Sequence, residues 1–201
     1  MSGFLHRYLA HRTQSAHPTD IESKDRRCLN ASFGDNDIWD DEFTSSEIEA
    51  RIRKTKAALK EFGYDPFDVT TEEFYDYMTG PIFSDDPTTL RDVLGNEYIM
   101  IHELVEICEL KKIGRKIDKN VIMETPKIPY YTAHLNAMET ELKYALYKGD
   151  TLWAKIRLRQ HKESVLDDDP NLPEELRPMA QELYEKYRKL AKQASEQPMT
   201  S

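Results

Sequence analysis

The sequence predicts an all-α fold, an irregular helical bundle of about six helices with a mobile N-terminal tail. Three observations carry that expectation. Serine, threonine and aspartate caps and glycine stops recur along the chain, and apolar residues between them return every three or four positions. Strand signals are weak: alternation is nowhere sustained, and no Asn-Gly or Asp-Gly hairpin turn occurs.

At 201 residues the chain suits one domain with a tail. Residues 1–37, rich in polar residues and without a sustained period, read as a flexible tail whose His6, His11 and His17 have no placement. Residues 38–195 form the expected helical domain, and 196–201 a C-terminal tail. In Asp37–Phe43 the aromatics Trp39 and Phe43 stand among acids and read as anchors onto the core.

The elements follow in order. Ser46 to Glu49 is an S-x-x-E capping box, with Ile48, Ile52, Leu59 and Phe62 on one stripe before Gly63. Thr70 to Glu73 is a second box, opening a short helix that stops at Gly80-Pro81. The run Ser84 to Gly95 offers acidic N-caps and Pro87 in a first turn. A long helix spans Asn96–Ile113, closed by Gly114. Between Arg115 and Pro129, the prolines favour extended neighbours, so Val121-Ile122-Met123 reads as crossover rather than helix. Pro129 opens the next helix, to Lys148. Asp150 caps another, from Thr151 to about Leu166. The last carries Leu176, Met179, Leu183, Tyr187, Leu190 and Ala194, a stripe suited to self-association or to another protein.

The long helix poses the chemical question. It is apolar nearly all round, yet it carries His102, Glu103, Glu106 and Glu109. At about 100° per residue, Glu106 and Glu109 project within about 40° of His102. A helix apolar on every side is central, and charge buried there must be paired, protonated or bound to metal. The helix that Pro129 opens repeats the pattern: His134 lies on the apolar face with Met138 and Ala145, and Glu141 stands within about 20° of it. If the two faces meet, His102, Glu106, His134 and Glu141 converge. Two imidazoles with one or two carboxylates suit a divalent ion such as zinc, iron or manganese. Glu109 would be an added ligand or would orient an imidazole from the second layer, and Glu103 would serve as base on a metal-bound water. His161 is a third candidate contributor, but beside Arg157 and Lys162 it reads as solvent-facing, and the basic run Lys155–Lys162 as a solvated face.

Over five residues, His102 to Glu106 is similar to the zincin metalloprotease motif H-E-x-x-H, with Glu106 standing where that motif has its second histidine. The resemblance implies His102 as ligand and Glu103 as base. The helical array also resembles ferritin-like carboxylate bundles in outline, although neither His102 nor His134 follows a glutamate by three. Neither likeness identifies a family.

Composition narrows the classes. A net charge of −9 argues against nucleic acid as a partner. No apolar run approaches the ~18–20 residues that span a bilayer. The two cysteines, Cys28 and Cys108, form no metal or disulfide pattern, which suits a reducing, cytoplasmic setting. No glycine-rich phosphate loop occurs. The expected function is a metal-binding helical protein with a buried His/Glu cluster, extending to a metal-dependent hydrolase. The alternative is a non-catalytic interaction or oligomerisation module whose cluster is only a hydrogen-bond network.

Overall fold

A computed structural model describes residues 38–40, 43–83 and 88–196. The expected tail over 1–37 and the last five residues lie outside that range, as does the Pro87 proposed for a first turn. The fold is all-α. Among the described residues, eight α-helices follow a two-stranded antiparallel pair, β1 (Ile38–Asp40) and β2 (Phe43–Thr44): α1 (Ser45–Glu61), α2 (Thr71–Thr79), α3 (Leu90–Gly95), α4 (Glu97–Lys112), α5 (Val121–Glu124), α6 (Lys127–Tyr147), α7 (Thr151–His161) and α8 (Arg177–Glu196). No described helix is long and apolar enough to cross a membrane.

Local chemistry sets the helix ends, and several differ from the sequence expectation. The box at Thr70 and Glu73 forms as read, with each side chain bonded to the other residue's backbone N–H. The box of α1 is Thr44 with Glu47, two residues before the expected Ser46 pair, because the chain leaves β2 still extended at Thr44. Thr89 with Asp92, not an upstream acid, opens α3. Asn96 caps α4, accepting from the backbone N–H of Tyr98 and Ile99. The helix α6 starts at Lys127. Pro129 falls in its first turn, where its missing N–H would be unpaired in any case. The crossover is not fully extended: Val121–Glu124 closes one helical turn that buries Val121 and Ile122, and Thr125, before Pro126, returns to extended backbone. The helix begun at Thr151 continues past His161 as a π-helical stretch, Lys162–Asp167.

The centre is as the apolar pattern requires. Ten of the sixteen residues of α4 are buried, on every side of the helix. Its principal neighbour is α6. That second helix joins three apolar clusters: Ala133, Ala137 and Tyr144 pack towards α4, Met138 and Leu142 towards α7 and α8, and Tyr131 and Leu135 towards Leu172 and Ala180. Each fully buried Leu or Ile here contributes on the order of 2 kcal/mol. Part of the α8 stripe packs within the chain: Leu183 and Tyr187 are buried against α6 and α7, while Leu190 and Ala194 stay exposed.

Candidate metal centre

The faces of α4 and α6 that carry histidine do meet. One turn of α4 presents His102 and Glu106, each 2% exposed, and α6 presents His134 to the same point. The three donor atoms form a triangle. His102 Nε2 lies 3.2 Å from Glu106 Oε2 and 3.3 Å from His134 Nδ1, and His134 Nδ1 lies 3.0 Å from Glu106 Oε2. The two rings meet edge to face, centroids 4.8 Å apart. Such a group could hold a metal ion. A tetrahedral ion about 2.0–2.1 Å from nitrogen and oxygen donors separates them by about 3.3–3.4 Å, close to this triangle.

Around the triangle lies an orienting layer. Glu141 is fully buried and reaches His102 from the far side, its Oε2 3.0 Å from Nδ1. Its Oε1 accepts from Trp153 Nε1 and from Arg157 Nε, both at 2.8 Å. Trp153 is held in turn by stacking on Tyr98 at 5.1 Å. Glu106 Oε1 accepts from the hydroxyl of Tyr77, at 2.6 Å, on α2. Tyr130 also hydrogen-bonds Glu106, and the ring of Tyr131 stands 6.5 Å from that of His134. His134, with 22% of its side chain exposed, is the member nearest solvent.

The electrostatics follow from this packing. Burial alone would depress the His102 imidazole, but Glu106 and Glu141 outweigh it and push its pKa up to about 10. Burial opposes ionisation of Glu106, yet the two histidines hold it well below the usual carboxylate range. Burial likewise works against Glu141, and Arg157 with His102 brings it down to about 2. Without a metal, Glu106 and Glu141 therefore favour the protonated form of His102 between them, and Arg157 faces Glu141 from its other oxygen.

Two other sequence candidates lie apart from the triangle. Glu109 is engaged elsewhere, accepting from Tyr64, Lys112 and Asn136. Glu103 is half-buried, and its charge is felt at His102, Tyr77 and Tyr130.

One placement is overturned. His161 is not on a solvent face but 1% exposed, because α8 covers α7 and Arg157 turns inward to Glu141. Tyr77, Trp153 and Arg157 carry no motif. The only signal for the last two is their i, i+4 spacing on α7, four residues being one shared face.

Neither a protein-family model, nor a curated protein, nor a solved structure matches the chain.

Proposed function

We propose that this chain is a divalent-metal-binding helical protein whose ion is held by His102 Nε2, His134 Nδ1 and Glu106 Oε2. The observation that carries the proposal is the donor triangle, 3.0–3.3 Å on each side, built from two separate helices. Its surroundings support it. Ligating imidazoles commonly donate their second N–H to a carboxylate, and Glu141 is positioned to accept from His102 Nδ1. Because Glu141 meets His102 at Nδ1, while the donor atom of the triangle is Nε2, its role in this reading is to orient His102, not to ligate. A set of two nitrogens and one oxygen suits zinc, iron(II) or manganese.

Three protein donors leave the ion a position for water. A bound ion would make that water acidic, and Glu103, next to His102 in the sequence, would be its base in the finer reading of a metal-dependent hydrolase. The competing reading is a structural network, favoured by the fact that each donor of the triangle already has a partner among the side chains.

Elemental analysis of untagged protein, beside a His102→Ala/His134→Ala variant, tests the choice. The proposal requires about one equivalent of metal in the parent and none in the variant. A parent that stays metal-free after incubation with zinc, iron(II) and manganese salts overturns it.

A further inference from the structure

One buried atom near the centre has no partner. His161 closes α7, and its Nε2 lies 3.1 Å from the carbonyl oxygen of Ala180, to which it donates. Its Nδ1 therefore carries a lone pair, and it is the one buried side-chain nitrogen or oxygen among the described residues without a hydrogen-bond partner. Leaving such an acceptor unmet costs the hydration it had in water with nothing in return, so a fold that keeps it needs a reason.

Its position suggests the reason. Arg157, one turn earlier on α7, bonds Glu141 in the layer around the triangle. Ala180, which receives the Nε2 proton, packs with Tyr131 and Leu135, the residues flanking His134 on the apolar side of α6. The charges of His134 and His102 both reach His161. The imidazole is fixed as a metal-site imidazole is: one nitrogen donates to a carbonyl, and the other is left with its lone pair. Yet His161 is not among the donors gathered within 4.8 Å, so it is not itself a ligand of the triangle. Immediately after it the backbone widens into the π-helical stretch Lys162–Asp167, a departure from α-geometry found often at functional positions.

We propose that His161 is a positioning residue of the metal centre, its Nδ1 accepting a hydrogen bond from the water carried by an ion on His102, Glu106 and His134. This rests on the metal-binding reading above. The lone pair is satisfied when the ion and its water are present, and the water is held in one orientation. No bond to the protein forms or breaks.

The test uses the full chain with cobalt(II), whose visible absorption reports the ligand field. Affinity and spectrum are measured for the parent, His161→Leu, which removes the acceptor, and His161→Gln, which retains one. Metal-free melting temperatures are measured beside them. The expected result is cobalt binding about 10- to 100-fold weaker in His161→Leu, with an altered spectrum, partial rescue in His161→Gln, and metal-free His161→Leu melting no lower than the parent. Cobalt bound equally well by parent and His161→Leu overturns the inference while leaving the metal site standing, and points to an ordinary buried water as the partner of Nδ1. A large fall in the metal-free melting temperature of His161→Leu also overturns it, making the residue structural. A parent that binds no cobalt fails at the earlier step.

Discussion

Glu141 is the buried carboxylate that ties α6 to both α4 and α7. Its two oxygens meet an imidazole, an indole N–H and a guanidinium while the group is fully buried. Removing one member of such an arrangement leaves another charge buried and uncompensated. Glu141→Gln keeps the shape but deletes the charge facing Arg157 and His102, and should lower stability by about 3–5 kcal/mol. Denaturant unfolding measures the loss. In a Trp39→Phe background the emission of Trp153, the other of the two tryptophans, should also move, because its N–H partner is no longer charged. A loss below about 1 kcal/mol would show that the carboxylate is not held by charge. At this scale the sequence was informative about α4 and α6, since a histidine and a glutamate on an otherwise apolar face have few alternatives to facing inward. It was misleading about α7. Arg157 and His161 sit in a run of cations, and a charged side chain that turns inward to one buried carboxylate leaves no trace in periodicity. The carboxylate that draws Arg157 in is sixteen residues away on another helix.

Between elements, the centre depends on α2, because Tyr77 reaches Glu106 from there. The end of α2 is fixed by a close approach. A Cβ on Gly80 would stand 2.1 Å from the carbonyl oxygen of Lys119, backbone of the link before α5. Gly80→Ala must therefore separate α2 from that link, and backbone cannot step aside as a flexible side chain can. The substitution should destabilise by about 1–3 kcal/mol or more. It should also weaken metal binding, through displacement of Tyr77. Thermal unfolding and cobalt titration check both, and a variant as stable as the parent would show that the approach is not a constraint. The same region marks where elements were legible. A capping box and a glycine stop are local chemistry, so α2 and the ends of α4 could be read directly. The register of the α1 box could not, because Thr44–Glu47 and Ser46–Glu49 are both chemically competent and the exit direction of β2 decides between them. The turn α5 was missed because its stability comes from burying Val121 and Ile122 against the core, a tertiary gain that overrides the local pull of the prolines.

For the molecule as a whole, the buried histidines make stability depend on pH in two opposed ways. His102 has a folded pKa near 10, above its ordinary 6.5. Its stabilising contribution is complete below about 6.5 and is lost as pH rises towards 10. For His161 burial dominates and lowers the folded pKa to about 4. The unfolded chain then binds the extra proton, so stability is unaffected above about 6.5 and falls as pH drops to 4, by up to about 3 kcal/mol. Glu141, at about 2 when folded, adds to the acid limb below its ordinary 4.5. The metal-free protein should accordingly be most stable near pH 6.5 and decline on both sides, with His161→Leu flattening the limb between 4 and 6.5. A bound ion changes the alkaline limb. It takes the place of the His102 proton, and ligands bind it deprotonated, so the metal-dependent gain in melting temperature should grow between pH 6 and 9, where the metal-free protein weakens. Melting curves across that range, with chelator and with added zinc, measure the two profiles. A zinc-dependent gain that stays level with pH would mean that the ion does not compete with the proton on His102, and the triangle would lose its claim to be the metal site.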